Sequence, residues 1–251
     1  MSIKSSELFS FNAVDVADFL ESHGYFFKVT DTTGRELIQQ DHTLTSVSGV
    51  DGARLLDTLL PTRTITIDYT VRSDSYLDLR KLDDLLGQLF IGDQTKRLSF
   101  YDQEGYYDAI YESKDVSLET DIIQQGTLTF TCPKPFRYAN GITIPSTSVN
   151  SGGTKINVST NYQVEPVLSF RLNSSASSLT ITVGTHRLTL SEALSSGDTV
   201  VVDTSKAEVR VGNVVKVLEL SGEFPVFYSG ENNISTNVNT TLSGSYTEIY
   251  V

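Results

Sequence analysis

The chain has 251 residues, of which 39% are hydrophobic and 20% are charged, so it can form one large β domain or two ordinary domains with buried cores. Its net charge of −12 argues against direct binding of a nucleic-acid backbone, because such binding needs clustered Lys and Arg. The single cysteine cannot form an internal disulfide. Because the sequence lacks a long apolar run and an apolar signal core, we expect no membrane contact and folding in a cytoplasm.

A hairpin is predicted at about residues 40–60. Gln40–Ser48 and Ala53–Leu60 form its two arms, and the tip Gly49-Val50-Asp51-Gly52 supplies two glycines for the reversal. Pro61 then interrupts the pattern before Thr62–Arg72, where isoleucine, tyrosine and valine alternate with threonine and aspartate. This alternation is typical of a half-buried strand.

One helix is predicted in this half of the chain, at about residues 74–90. Ser73 or Asp74 can cap its N-terminus, and Gly92 follows the last periodic residue as a stop signal. The spacing of five leucines places them on one helical face: Leu79, Leu82, Leu85, Leu86 and Leu89.

Residues 98–138 organise the first half and mark its end. They predict three strands separated by polar turns, at Leu98–Tyr101, Tyr106–Tyr111 and Gly126–Thr131. Pro133 and Pro135 end this ladder because proline lacks the amide hydrogen that a sheet needs. We therefore predict a first domain at residues 1–138, which carries a net charge of −9, with a hinge at Cys132–Tyr138.

After Tyr138 the composition changes. Residues 140–153 are rich in Asn, Gly, Ser and Thr and predict a linker with an opening strand. Short strands then recur without helical periodicity, at Lys155–Ser159, Val164–Leu172, Leu179–Val183, His186–Leu190, Thr199–Asp203, Glu208–Val211, Val214–Leu218 and Thr247–Val251. Such spacing is typical of an antiparallel β-sandwich, so residues 139–251 are predicted to form a second domain.

The sequence predicts no catalytic residues, cofactor site or metal site, and therefore no enzyme. Three histidines, at positions 23, 42 and 186, lack a second ligand at metal spacing. Asp102, Glu104 and Asp108 cluster around a turn, but their spacing matches no calcium loop, and acidic turns are ordinary. Cys132 is expected to be a small buried apolar side chain at a strand end.

Carbohydrate binding by the second half remains an alternative. β-Sandwiches often stack sugars on aromatic side chains, and Tyr228 and Tyr246 are possible sugar contacts. The chain has no tryptophan, and Phe224 and Phe227 are expected to fill the core. Under this alternative the chain is a carbohydrate-binding adhesion module that recognises host cell-wall glycans.

The ordered motifs resemble the distal tail proteins of siphophages that infect Gram-positive bacteria, and the resemblance covers most of the chain. In the first half it rests on Phe9–Asn12, Val47–Gly52, Arg63–Ile67 and above all on residues 98–138. In the second half it rests on Gly197–Asp203, Phe224–Pro225 and Gly230–Ile234.

The resemblance implies a mainly β fold: a sandwich-like N-terminal domain with one helix and a long hairpin called the belt, then a galectin-like or carbohydrate-binding-module-like sandwich. It implies a homohexameric ring in the virion, at the tail tip or baseplate. Implied partners are the tail-tube protein, a tail-associated lysin or central fibre, and baseplate or receptor-binding proteins, while DNA passes through unbound. The inter-subunit residues assigned to the belt are Val47, Gly49, Val50, Asp51, Gly52, Leu55 and Leu56.

Overall fold

A computed structural model describes residues 8–217 and 219–251. These residues form two compact units. The first unit extends to Arg137, and the second covers Tyr138–Tyr250. Both units are built mainly from antiparallel strands, which confirms the predicted fold class.

The first unit contains nine strands and two helices among its described residues. In chain order they are β1 (Phe9–Phe11), β2 (Val14–Asp15), α1 (Val16–Ser22), β3 (Phe26–Thr33), β4 (Asp41–Thr45), β5 (Arg54–Leu59), β6 (Arg63–Arg72), α2 (Tyr76–Phe90), β7 (Lys96–Phe100), β8 (Tyr106–Glu119) and β9 (Ile123–Cys132).

The long strand β8 connects two four-stranded arrays in this unit. One array has the order β2-β1-β7-β8 and the other has the order β3-β6-β9-β8. The central strand β6 alternates as predicted, with Ile65, Ile67 and Tyr69 buried and the intervening side chains outside or half-buried. An aromatic cluster fills the core, where Phe130 contacts the rings of Phe9, Phe11, Phe90 and Tyr111.

Helix α2 confirms the predicted helix with small shifts at its ends. Four of its predicted leucines are buried in the core, at positions 79, 82, 86 and 89. The N-cap is Ser75, not Ser73 or Asp74, and its hydroxyl oxygen accepts a hydrogen bond from the Asp78 amide at 3.2 Å. The helix ends at Phe90 with Ile91 as C-cap, one residue before the predicted stop at Gly92.

The prediction of a single helix was wrong, because α1 is also helical. Its Val16, Ala17 and Leu20 are buried, which is the i, i+1, i+4 pattern of a helix packed on a core. The Asp15 carboxylate caps it by accepting the Asp18 amide hydrogen at 2.9 Å. Seven residues span only about two turns, and two strands precede them directly, so no helical period emerges in the sequence.

The second unit is a two-sheet sandwich. Its strands are β10 (Arg137–Val149), β11 (Thr154–Val158), β12 (Val167–Leu172), β13 (Leu179–Val183), β14 (His186–Leu190), β15 (Thr199–Asp203), β16 (Glu208–Val211), β17 (Val214–Lys216), β18 (Leu220–Gly222), β19 (Gly230–Thr236) and β20 (Thr240–Tyr250). One sheet has the order β17-β16-β15-β12-β20-β10, and the other has the order β11-β19-β13-β14-β18.

Most predicted strands of this unit are confirmed, and four of them match at both ends: β13, β14, β15 and β16. Strand β19 was missed because its inward positions are largely polar. Asn232 and Thr236 are buried there beside Ile234. The Asn232 amide nitrogen donates to the Tyr228 carbonyl at 2.8 Å and its oxygen accepts from the Tyr228 amide at 2.9 Å, so a polar side chain occupies a core position without an unmet hydrogen bond.

Candidate inter-subunit interface

The predicted hairpin is present as a two-stranded sheet made only of β4 and β5. Thr43 pairs with Asp57 and Leu44 pairs with Leu55, so a register shift leaves Leu56 as the extra residue of a β-bulge. We call β4, β5 and the turn between them the hairpin. A two-stranded sheet has little stability by itself in water, so its structure depends on what holds its ends and on what covers its faces.

The hairpin exposes most of its apolar side chains. Val47, Val50, Leu55 and Leu56, which were predicted as interface residues, are between 51% and 66% exposed. Leu44 lies directly across from Leu55 and is also exposed. Contiguous exposed apolar residues are unusual on monomeric proteins and commonly mark a surface that another molecule covers.

The other predicted interface residues shape the turn. Gly49 and Gly52 have φ angles of 82° and 89°, which residues with a side chain rarely adopt. Between them Asp51 is exposed, and the Val50 amide donates to the Val47 carbonyl at 3.2 Å. The two glycines therefore act through the backbone, while the apolar residues supply the surface.

Arg63 fastens the root of the hairpin to the body of the first unit. Its side chain is buried at 4% exposure. The guanidinium donates to the carbonyls of Gly34 at 2.8 Å and Glu36 at 2.7 Å, just before the hairpin, and to the carbonyl of Pro135 at 2.9 Å. Hydrogen bonds from a charged donor are stronger than neutral ones. The hairpin thus leaves the unit from a fixed base.

The histidines and acids considered as chemical sites have local partners. His42 hydrogen-bonds Thr58 within the hairpin at 3.0 Å, and His23 contacts the Phe19 carbonyl at 2.8 Å. Asp102 forms an ion pair with Arg35 at 2.7 Å. Burial raises the pKa of Asp108. Within the described ranges, no group of three His, Cys, Asp or Glu side chains could hold a metal ion.

The two tyrosines considered as sugar contacts have different surroundings. Tyr228 is half-exposed and lies beside His186, with 3.4 Å between the Tyr228 hydroxyl and His186 Nε2. Tyr246 is only 7% exposed, and its ring packs edge-on against Phe227. Tyr246 also lines a cleft of about 290 Å³ between β10 and β11. Of these two tyrosines, Tyr228 is therefore the exposed one, and His186 is stacked beside its ring.

Two family models match the chain. Residues 20–132 match the phage tail protein RIFT-related domain, and residues 159–250 match the C-terminal domain of the siphovirus-type tail component. Both models describe siphophage tail components, and together they cover most of the chain. The chain belongs to the distal tail proteins of siphophages, which are structural hub proteins of the phage tail and baseplate and are not known as enzymes.

The fold is also found in a solved structure. The Dit protein of phage SPP1, described as a hub of the adsorption apparatus in phages that infect Gram-positive bacteria, aligns with a TM-score of 0.78 at 19% identity. The alignment covers 97% of this chain and 99% of the SPP1 chain. A chain of the activated phage P2 baseplate aligns with a TM-score of 0.40 at 8% identity over 87% of this chain and 90% of its own.

No curated protein sequence matches this chain. Neither helix of the described residues is long and apolar enough to cross a membrane.

Proposed function

We propose that this distal tail protein assembles into a homohexameric ring in which the hairpin is the belt between neighbouring subunits. The observation that carries this proposal is the exposed apolar surface of a hairpin with no strand neighbour beyond its own two arms in the described chain. When each copy gives its hairpin to the next copy, the contact is heterologous, and such contacts close into a ring if the rotation permits.

The ring would connect the tail-tube protein to a tail-associated lysin or central fibre, and the second unit would carry baseplate or receptor-binding proteins. It would act in the virion of a phage of Gram-positive bacteria after assembly in the host cytoplasm. The first domain carries a charge of −9 per copy, and if much of this charge faces the lumen it would repel DNA during its passage. A ring structure with a neutral or basic lumen would rule out this role for the charge.

The ring is tested by negative-stain microscopy of the purified protein, alone and mixed with its tail-tube protein. We expect six-fold rings, and we expect deletion of residues 47–56 to abolish them. The control replaces Val214 and Val215, two exposed apolar residues of the second unit, by Asp and should leave rings intact. Intact rings from the deletion variant would show that the hairpin is not the belt.

A second candidate function is adhesion to host cell-wall glycans by the β-sandwich of the second unit. The half-exposed ring of Tyr228 beside His186 supports this function, because sugars stack on open aromatic faces. Tyr228→Ala should then reduce binding to purified host cell wall in a pull-down, while Tyr162→Ala, a change at a similarly exposed tyrosine, should not. Equal binding by both variants would exclude Tyr228 as the contact.

A further inference from the structure

The first unit contains a small pocket of mixed apolar and charged lining between α2 and β8, separate from the hairpin. We call it the helix pocket. Its volume is about 290 Å³, and Leu86, Gly87 and Ile91 line one side while Tyr111 and Val116 line the other. Lys114 and Asp83 form an ion pair at its edge. Ile91 is 71% exposed and Val116 is about half-exposed, so apolar surface continues from the pocket to its rim.

Gly87 lies in this pocket, in the interior of α2, where glycine destabilises a helix relative to alanine. Among the described residues, no close contact requires a glycine at this position. A Cβ built at position 87 would meet only the Ile91 side chain, at an ordinary contact distance of 3.6 Å. The missing side chain instead deepens the pocket, which favours close approach by a group from outside the subunit.

The hairpin carries side chains of the matching kind. Leu44 and Leu55 form an exposed apolar pair across its two strands. Arg54 precedes Leu55, is exposed, and forms no ion pair with any described residue. The Asp83 side chain at the pocket edge is 69% exposed, and the neighbouring Asp84 is also exposed. The helix pocket therefore offers apolar side chains to the leucine pair and, beside the Lys114–Asp83 ion pair, the exposed carboxylate of Asp84 to Arg54.

The hairpin and the helix pocket of one chain do not cover each other, since Ile91 is 71% exposed and Leu55 and Val116 are about half-exposed. We propose that the helix pocket receives the Leu44–Leu55 pair of a second copy, with Arg54 of that copy facing Asp83 and Asp84. This inference rests on the proposed role of the hairpin as the belt, and it names the surface of the neighbouring subunit that the belt contacts. Under this proposal the hairpin of each copy packs against α2 and β8 of the next copy and does not pair with the edge of its sheet.

Engineered cysteines test the contact directly. A chain with Leu55→Cys and Val116→Cys should form interchain disulfides when rings are oxidised, giving a ladder of up to six chains on a non-reducing gel. The native Cys132 is buried and does not interfere. The control pairs Leu55→Cys with Leu77→Cys, an exposed position ten residues before Gly87 and therefore about 15 Å away along the helix, and should give no ladder.

A filled pocket gives a second test. Gly87→Leu should abolish rings while leaving the melting temperature of the monomer unchanged or higher, because leucine is a better helix former. Gln88→Leu adds the same side chain at an exposed neighbouring position and should leave rings intact. Suppose that deletion of residues 47–56 abolishes rings, while the Gly87→Leu variant still forms them and the cysteine pair does not cross-link. The hairpin would then be the belt, but the helix pocket would not be the surface that it contacts. If no rings form with or without the tail-tube protein, both proposals fail.

Discussion

The two units differ in where they keep their apolar side chains. In the second unit both sheets turn their apolar faces inward, and its exposed large apolar residues are few among those described: Tyr162, Val214, Val215, Val217 and Tyr228. The first unit has an equally well buried core around Phe130, yet it exposes apolar residues along the hairpin and beside α2. The second unit thus buries most of its large apolar side chains, whereas the first unit leaves a larger set of them exposed among the described residues.

This contrast can be tested first with two leucines, one from each unit. Leu168→Ala removes a fully buried side chain of the second unit and should lower the free energy of unfolding by about 3 to 4 kcal/mol. Leu55→Ala removes an exposed leucine of the hairpin and should change it by less than about 0.5 kcal/mol in the monomer. Denaturant unfolding at a concentration without rings measures both. Equal losses would mean that the hairpin packs on its own chain in solution.

A substitution of Arg63 tests whether its hydrogen bonds hold the base of the hairpin to the first unit. Arg63→Ala removes the donors to three carbonyls, of which the Pro135 carbonyl is buried, so we expect the stability of the first unit to fall by about 3 kcal/mol. Hydrogen exchange should quicken around Gly34–Glu36 and leave the second unit unchanged. Arg72→Ala, an exposed change on the same strand, is the control. If amide hydrogens around Gly34–Glu36 exchange at the same rate in both variants, the Arg63 guanidinium does not hold the base of the hairpin.

Asn232 tests the polar core position of the second unit. Asn232→Ala removes an amide that bridges the Tyr228 amide and carbonyl groups, so we expect a loss of about 1 to 2 kcal/mol. Asn233→Ala, at the adjacent exposed position, should have a smaller effect. Differential scanning calorimetry of the two variants measures this difference, and a melting temperature of Asn232→Ala equal to that of the parent would contradict it.

Cys132 gives the first unit a pH dependence: its effect on stability appears only at alkaline pH. Burial raises the pKa of its thiol from 9.0 to about 12. The unfolded chain therefore loses this proton first as pH rises, and the fold loses stability between pH 9 and 12, by about 1.4 kcal/mol at pH 10. Unfolding at pH 8 and pH 10 should show this loss for the parent and a smaller one for Cys132→Ala. An equal loss of unfolding free energy between pH 8 and pH 10 in both proteins would show that groups other than Cys132 cause it.

Helices and strands could be predicted from the sequence where apolar residues occupy their buried positions. The alternation at Thr62–Arg72 and the leucine spacing of α2 each gave the correct element type. Strand β19 was not predictable in this way because hydrogen-bonded Asn232 and Thr236 take core positions. Helix α1 was missed because its seven residues are too short to establish a period.

The interface residues raise a different problem. The hairpin tip at residues 49–52 was visible as a glycine-rich reversal, but the assignment of its neighbours to an interface came from the family resemblance. Gly87 and Val116 were not recognised in the sequence. They lie 29 positions apart, and only the packing of α2 beside β8 brings them to one pocket. The one available signal was a glycine within a helical leucine pattern, which also occurs without function.

By itself the sequence determined that the chain is mainly β, that its composition changes near Tyr138, and that the amphipathic helix α2 lies in the first half, because periodicity and turn residues act over a few neighbouring positions. Only the tertiary structure decided which apolar side chains remain exposed to solvent. Leu55 and Leu168 are the same amino acid in similar strands, yet one is 54% exposed and the other is fully buried. That difference depends on whether another sheet or helix packs over the strand, and such contacts join residues far apart in the chain.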